Sequence, residues 1–248
     1  MSKCLYRNPG LLFMVGTSFF GLLLIGVVAL NLQPIKANFL WRKPLIGSLY
    51  ALICLAGIVA VFFPTLCSTL VTSKKKATRH SLATSPFKPT SIYPFIGAHH
   101  PDCQNFSAHV FHTNNRRTCA ACLGLLLGGL ISLAGTWLFF FGEWSLSGNS
   151  LQGILLGLVG VGLGLLQYKI GSNIIRLIAN SFFVIGTLFL LVGIDELAQS
   201  VLADLFVIGL ALFWLFTRIS LSQWNNWRIC HNCPVDSCRH RILDNKGG

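Results

Sequence analysis

Six of the nine cysteines fall in two short segments. The first reads His99-His100-Pro101-Asp102-Cys103, then Phe106, His109, His112 and Cys119-Ala120-Ala121-Cys122. The second reads Cys230-His231-Asn232-Cys233-Pro234-Val235-Asp236-Ser237-Cys238-Arg239-His240. Two cysteines separated by two residues can turn both sulfurs toward one tetrahedral ion. Cys119/Cys122 and Cys230/Cys233 both have this spacing, and zinc is the cofactor that such thiolate-rich sets select. Two arrangements stay open. The two pairs can form one four-thiolate site joining the segments. Alternatively Cys103, His109, Cys119 and Cys122 form one site, and Cys230, Cys233, Cys238 and His240 (or His231) form another. Asp102 could orient a ligating histidine, and His99 and His100 are further candidates for a metal or catalytic role. Cys4, Cys54 and Cys67 stand apart, and mid-span Cys54 reads as small apolar packing.

Three other chemistries compete with zinc. Disulfides are disfavoured where thiols stay reduced. An iron–sulfur cluster needs cysteine ligands, and Cys233-Pro234 has a ferredoxin-like element, but the 230, 233, 238 spacing is not the ferredoxin pattern. A redox dithiol at either pair lacks the βαβ context that such motifs usually have. No H-E-x-x-H, nucleotide loop or nucleophile elbow is present.

The elements that must hold these residues are apolar. Of 248 residues, 53% are hydrophobic and only 10% are charged, against about 25% charged in a typical soluble domain. Runs long enough to span about 30 Å of hydrocarbon cover 11–32, 44–71, 121–141, 151–168, 174–194 and 201–216. The first run follows Lys3 and Arg7, but it is too long for a signal-peptide core and has no clear cleavage site. Pro64 is expected to kink the second. No run alternates as a membrane barrel strand would. The expected fold is an all-α membrane protein with about six transmembrane helices. Its parts are 1–71 with helices 1 and 2, a cytoplasmic Cys/His-rich loop at 72–120, 121–216 with helices 3 to 6, and a cytoplasmic Cys/His-rich tail at 217–248.

Charge orients these spans. Six crossings put sixteen of the nineteen Lys and Arg residues on one side, leaving Lys36, Arg42 and Lys43 on the other. Positive residues accumulate in the cytoplasm, so both termini and both Cys/His segments are expected there, with the chain in the cell membrane. The net charge of +12 then reflects this bias and attraction to anionic headgroups. No nucleic-acid module is visible; the expected partners are membrane lipids and proteins at the cytoplasmic face.

Within the spans, Gly124, Gly128, Gly153, Gly157, Gly160 and Gly164 read as close helix packing. Asn180 and Asp204 are the polar intruders, and Asp204 reads as lying near the outer interface. No chain of buried carboxylates suggests a proton relay. Trp224 and Trp227 read as interfacial anchors after the sixth span.

The stretch Cys119-Ala120-Ala121-Cys122-Leu123-Gly124-Leu125-Leu126-Leu127-Gly128 resembles an uncharacterised family of predicted prokaryotic multi-pass membrane proteins. In that family a Cys/His segment is followed by C-A-x-C-x-G-x3-G opening a transmembrane helix. The match covers about thirty residues, from His99 to Gly128. Upstream the chain departs, with His99-His100-Pro101-Asp102-Cys103 where a Cys-His pair is expected. The resemblance implies a multi-span protein with a metal site and no assigned reaction. Three functions follow from the sequence: a structural or accessory protein with a metal-stapled cap, a metal-dependent or thiol-redox membrane enzyme, or a transporter or metal-handling protein. The first is favoured, because thiolate-rich sites are usually closed and structural.

Overall fold

The computed structural model describes residues 8–31, 41–62, 104–113, 116–142, 144–146, 148–169 and 171–231. Within them the apolar runs form helices α1 (Pro9–Asn31), α2 (Arg42–Phe62), α3 (Ala120–Thr136), α4 (Ser150–Leu166), α5 (Asn173–Ala198) and α6 (Val201–His231). Helix is the form in which such runs satisfy their own backbone groups in lipid. Five of these helices, α3 counted through Phe141, are long and apolar enough to cross a bilayer. The chain is an all-α membrane protein.

The remaining helix, α4, has 17 residues. At 1.5 Å per residue it spans about 26 Å. The 3-10 turn Gln167–Lys169 continues it and adds about 6 Å. Its ends show that it runs from one side of the bundle to the other. It starts near the end of α3, which packs on the start of α2 through Phe140 and Gly47. It leads to the start of α5, where Asn173 Nδ2 donates to the Val110 carbonyl at 3.4 Å. We call the side bearing Val110 the hairpin face and the opposite side the far face.

Helix α5 is the centre of the bundle, clasped by two glycine ridges. On α3, a Cβ added at Gly128 would lie 2.7 Å from the Ser181 carbonyl oxygen. On α4, Cβ atoms at Gly157 and Gly160 would lie 2.7 and 2.6 Å from the carbonyls of Gly186 and Phe182. The backbones therefore approach as closely as small-residue interfaces allow. Ser181 Oγ adds a bond across the contact, donating to the Gly124 carbonyl at 3.0 Å. The remaining helices attach through side chains. Tyr50 Oη and Thr187 Oγ1 lie 2.7 Å apart and join α2 to α5. Trp214 Nε1 donates to the Ser18 carbonyl at 3.1 Å, and Ser18 Oγ to Thr217 Oγ1 at 3.0 Å, joining α6 to α1.

Two differences from the sequence expectation stand out, and one expectation goes untested. Helix α2 is described only to Phe62; the expected extension to 71 and the kink at Pro64 lie outside the described residues. The 72–120 segment contains a β-hairpin, β1 (Val110–Thr113) paired antiparallel with β2 (Arg116–Cys119), where the sequence predicts only a loop. Helix α6 does not stop near Phe216 but continues to His231. Its buried residues Val207, Ala211, Trp214, Thr217, Leu221 and Trp224 keep the helical spacing of three and four throughout. Trp224 is accordingly buried, edge-on to Tyr168 at 6.2 Å, and only Trp227 is exposed as an anchor would be.

Candidate functional site

At the hairpin face, Cys119 ends β2, pairs with Val110 in the strand register, and caps the N-terminus of α3. Cys122 lies within the first turn of that helix. The unsatisfied N–H groups of a helix N-terminus favour thiolates placed there. Cys119 is buried and Cys122 half-buried, and no disulfide joins either to another described residue. The register also brings His109, the residue before β1, beside this pair. His109 is buried and packs edge-on to Phe106 at 5.3 Å.

Arg176 of α5 lies beneath the hairpin. Its Nη1 is 3.2 Å from His109 Nδ1. Arginine only donates, so Nδ1 accepts, and a neutral ring then carries its hydrogen on Nε2. A metal at Nδ1 would have to displace Arg176. The guanidinium also lies close enough to Cys119 for the two to interact electrostatically. The Arg176 carbonyl accepts from Asn180 Nδ2 at 2.6 Å. Asn180 Oδ1 in turn accepts from Arg218 Nε at 2.7 Å and from Arg218 Nη2. A polar ladder thus runs from the hairpin into the bundle and ties α5 to α6.

The structure joins three of the eight expected ligands, His109, Cys119 and Cys122, to one end of the bundle. Among the described residues, no group of three His, Cys, Asp or Glu side chains is placed to hold a metal ion. The backbone of Cys230 lies in the last turn of α6, about 18 Å beyond Arg218 at helical rise. Cys103, Cys233, Cys238 and His240 lie outside the described residues, as do His99, His100 and Asp102.

The far face holds a second polar cluster. Arg42 opens α2, Asp195 lies in the last turn of α5, and Asp204 lies in the first turn of α6. All three are buried, the two aspartates completely. Arg42 Nη1 donates to Asp195 Oδ1 and, at 2.9 Å, to Asp204 Oδ2. Arg42 Nη2 reaches Asp195 Oδ2 at 3.4 Å. The turn between α5 and α6 makes this meeting local. Gln199 takes the left-handed conformation at φ 47° and donates its N–H to the Asp195 carbonyl at 3.0 Å. Next to Asp195, Glu196 accepts from the Leu146 N–H at 2.7 Å and from Ser150 Oγ at 2.5 Å, pinning the α3–α4 loop. A cavity of about 330 Å³ opens here, lined by Arg42, Lys43, Ser145, Ser150, Asp195 and Glu196 among others.

Sequence reasoning missed this cluster. The charge count places Arg42 on the outer face and Arg176 and Arg218 on the cytoplasmic side, and Asp204 reads as interfacial. Each is buried on a named partner instead. The signal that could have found Arg218 is its place, four residues from Trp214 and three from Leu221, on the apolar stripe of α6. No family model, curated protein or solved structure matches the chain.

Proposed function

We propose that this chain is a multi-pass protein of the cell membrane whose cytoplasmic Cys/His segments bind zinc in a structural or accessory cap. The hairpin face and both termini are then cytoplasmic. The observation that carries the reading is the strand register that sets Cys119 at the cap of α3 with Cys122 in its first turn. A metal at that point would lock the hairpin onto the glycine-packed α3–α5 pair. The engagement of His109 Nδ1 by Arg176 favours the four-thiolate arrangement of Cys119, Cys122, Cys230 and Cys233. Such a site carries a net charge of about −2 with zinc, which Arg176 would offset. Membership of the prokaryotic family that the Cys119–Gly128 segment resembles is part of the same proposal.

One observation favours a second reading. A CxxC pair opening a helix is also the placement that activates a redox dithiol. Buried Cys119 is poorly placed to attack a substrate, however, so the structural reading ranks first.

Elemental analysis of the purified full chain tests the proposal. The expected content is about one zinc per chain for a shared site, or about two for separate sites. With a shared site, Cys119→Ser and Cys230→Ser each abolish it. A folded, metal-free wild type overturns the zinc reading, and iron in place of zinc promotes the cluster alternative.

A further inference from the structure

The far-face cluster has one buried guanidinium and two fully buried carboxyl groups. Arg42 uses Nη1 and Nη2 on Asp195 and reaches Asp204 through Oδ2 alone. Asp204 Oδ1 is fully buried and has no hydrogen-bond partner among the described residues. Both carboxyl groups accept from the same Arg42 Nη1, which holds them close together. Two ionised carboxylates offer only acceptors and repel at such a distance. A buried acceptor left unmatched costs about 1–3 kcal/mol, more when it is charged.

Other charges do not resolve the mismatch. From α2, Lys43 acts on Asp195 through space but gives neither aspartate a hydrogen bond among the described residues, its Nζ lying over the Phe139 ring, 4.5 Å from the centroid. From α5, Glu196 is committed to Leu146 and Ser150. From α4, the adjoining group is the Ser150 hydroxyl, which Glu196 already receives. The cluster of Arg42, Asp195 and Asp204 therefore carries one negative charge too many and one acceptor too many.

We propose that this cluster is a proton-binding site, holding one proton between the Asp195 and Asp204 carboxyls under the Arg42 guanidinium. The added proton makes the cluster neutral and supplies the missing donor. No bond other than O–H forms or breaks, and the proton comes from water. Asp195 and Arg42 both line the far-face cavity, which gives the proton its route. The site connects the start of α2 to the turn between α5 and α6, so its occupancy bears on how those three helices are held.

Infrared spectroscopy of the full chain in lipid nanodiscs tests this. The wild type should show the carbonyl stretch of a protonated carboxylic acid at neutral pH, shifted in D2O. Asp204→Asn should remove that band while keeping the helix content. Should this variant not fold, wild type carrying carbon-13 aspartate decides: the band must shift with the label. No protonated-acid band at neutral pH overturns the proposal. So does a band that persists in folded Asp204→Asn, or one that ignores the aspartate label.

Discussion

Arg42 is the residue on which the far face depends. It is the first residue of α2 and is 7% exposed, yet it bonds two carboxyl groups that are 0% exposed. Removing one member of a buried ion pair strands the other, which typically costs roughly 3–5 kcal/mol. Arg42→Ala should therefore lower stability by about that amount in denaturant unfolding of the detergent-solubilised chain. Arg42→Lys should recover only part of it, because a point charge cannot form the fork that spans two carboxylates. An unchanged unfolding midpoint in Arg42→Ala would contradict the role given to the cluster. None of this pairing was legible in the sequence. Arg42 and Asp195 are 153 positions apart, and each sits at the edge of an apolar run, where a charge normally faces water or headgroups. The candidate ligands were legible as residues, but their surroundings were not. Nothing in the local spacing announces that Arg176 will take the lone pair of His109.

At the scale of elements, the glycine spacing was the most informative feature of the chain. Gly124 and Gly128 on α3 and Gly157, Gly160 and Gly164 on α4 do pack against α5, as the close-packing reading expected. The physical reason is direct: only a residue without Cβ lets these backbones meet. Gly160→Leu places a side chain where a Cβ would already lie 2.6 Å from the Phe182 carbonyl. Overpacking of this kind costs about 1–3 kcal/mol or more, and the variant should unfold at lower denaturant than wild type. Gly162→Leu is the control, because a Cβ there meets nothing within 4 Å, and its midpoint should not move. Helix starts were read to within two residues, since a charged or polar residue meets an apolar run at each. The end of α6 was misread because Arg218, Asn225 and Asn226 dilute its hydropathy, although its buried stripe keeps helical spacing to Trp224. The β-hairpin was missed because four-residue strands in a polar segment carry almost no periodic signal.

On the scale of the whole molecule, exposed apolar side chains on α1, α2, α4 and α5, such as Leu23, Leu52, Val159 and Ile174, face outward, where lipid would cover them. Exposed Trp41, Trp137 and Trp144 gather toward the far face, with Trp227 toward the other, as interfacial aromatic belts require. The six helices alternate in direction, so the hairpin and the end of α6 share one face while the Arg42 cluster occupies the other. The proposed cytoplasmic placement of the hairpin face rests on charge asymmetry. The positive excess is smaller than its count suggests, because Arg176 and Arg218 serve the bundle and do not face headgroups. Lys74, Lys75, Lys76 and Arg79 of the loop still carry the bias. Side-specific labelling tests this arrangement most directly, using Ser107→Cys at the hairpin and Asn149→Cys at the far face. Both positions are exposed, and each is read as the increment over the unsubstituted chain with an impermeant maleimide. The account predicts that 149 labels from outside intact cells, and that 107 labels only in inverted vesicles. Labelling of both positions from the same side would contradict it.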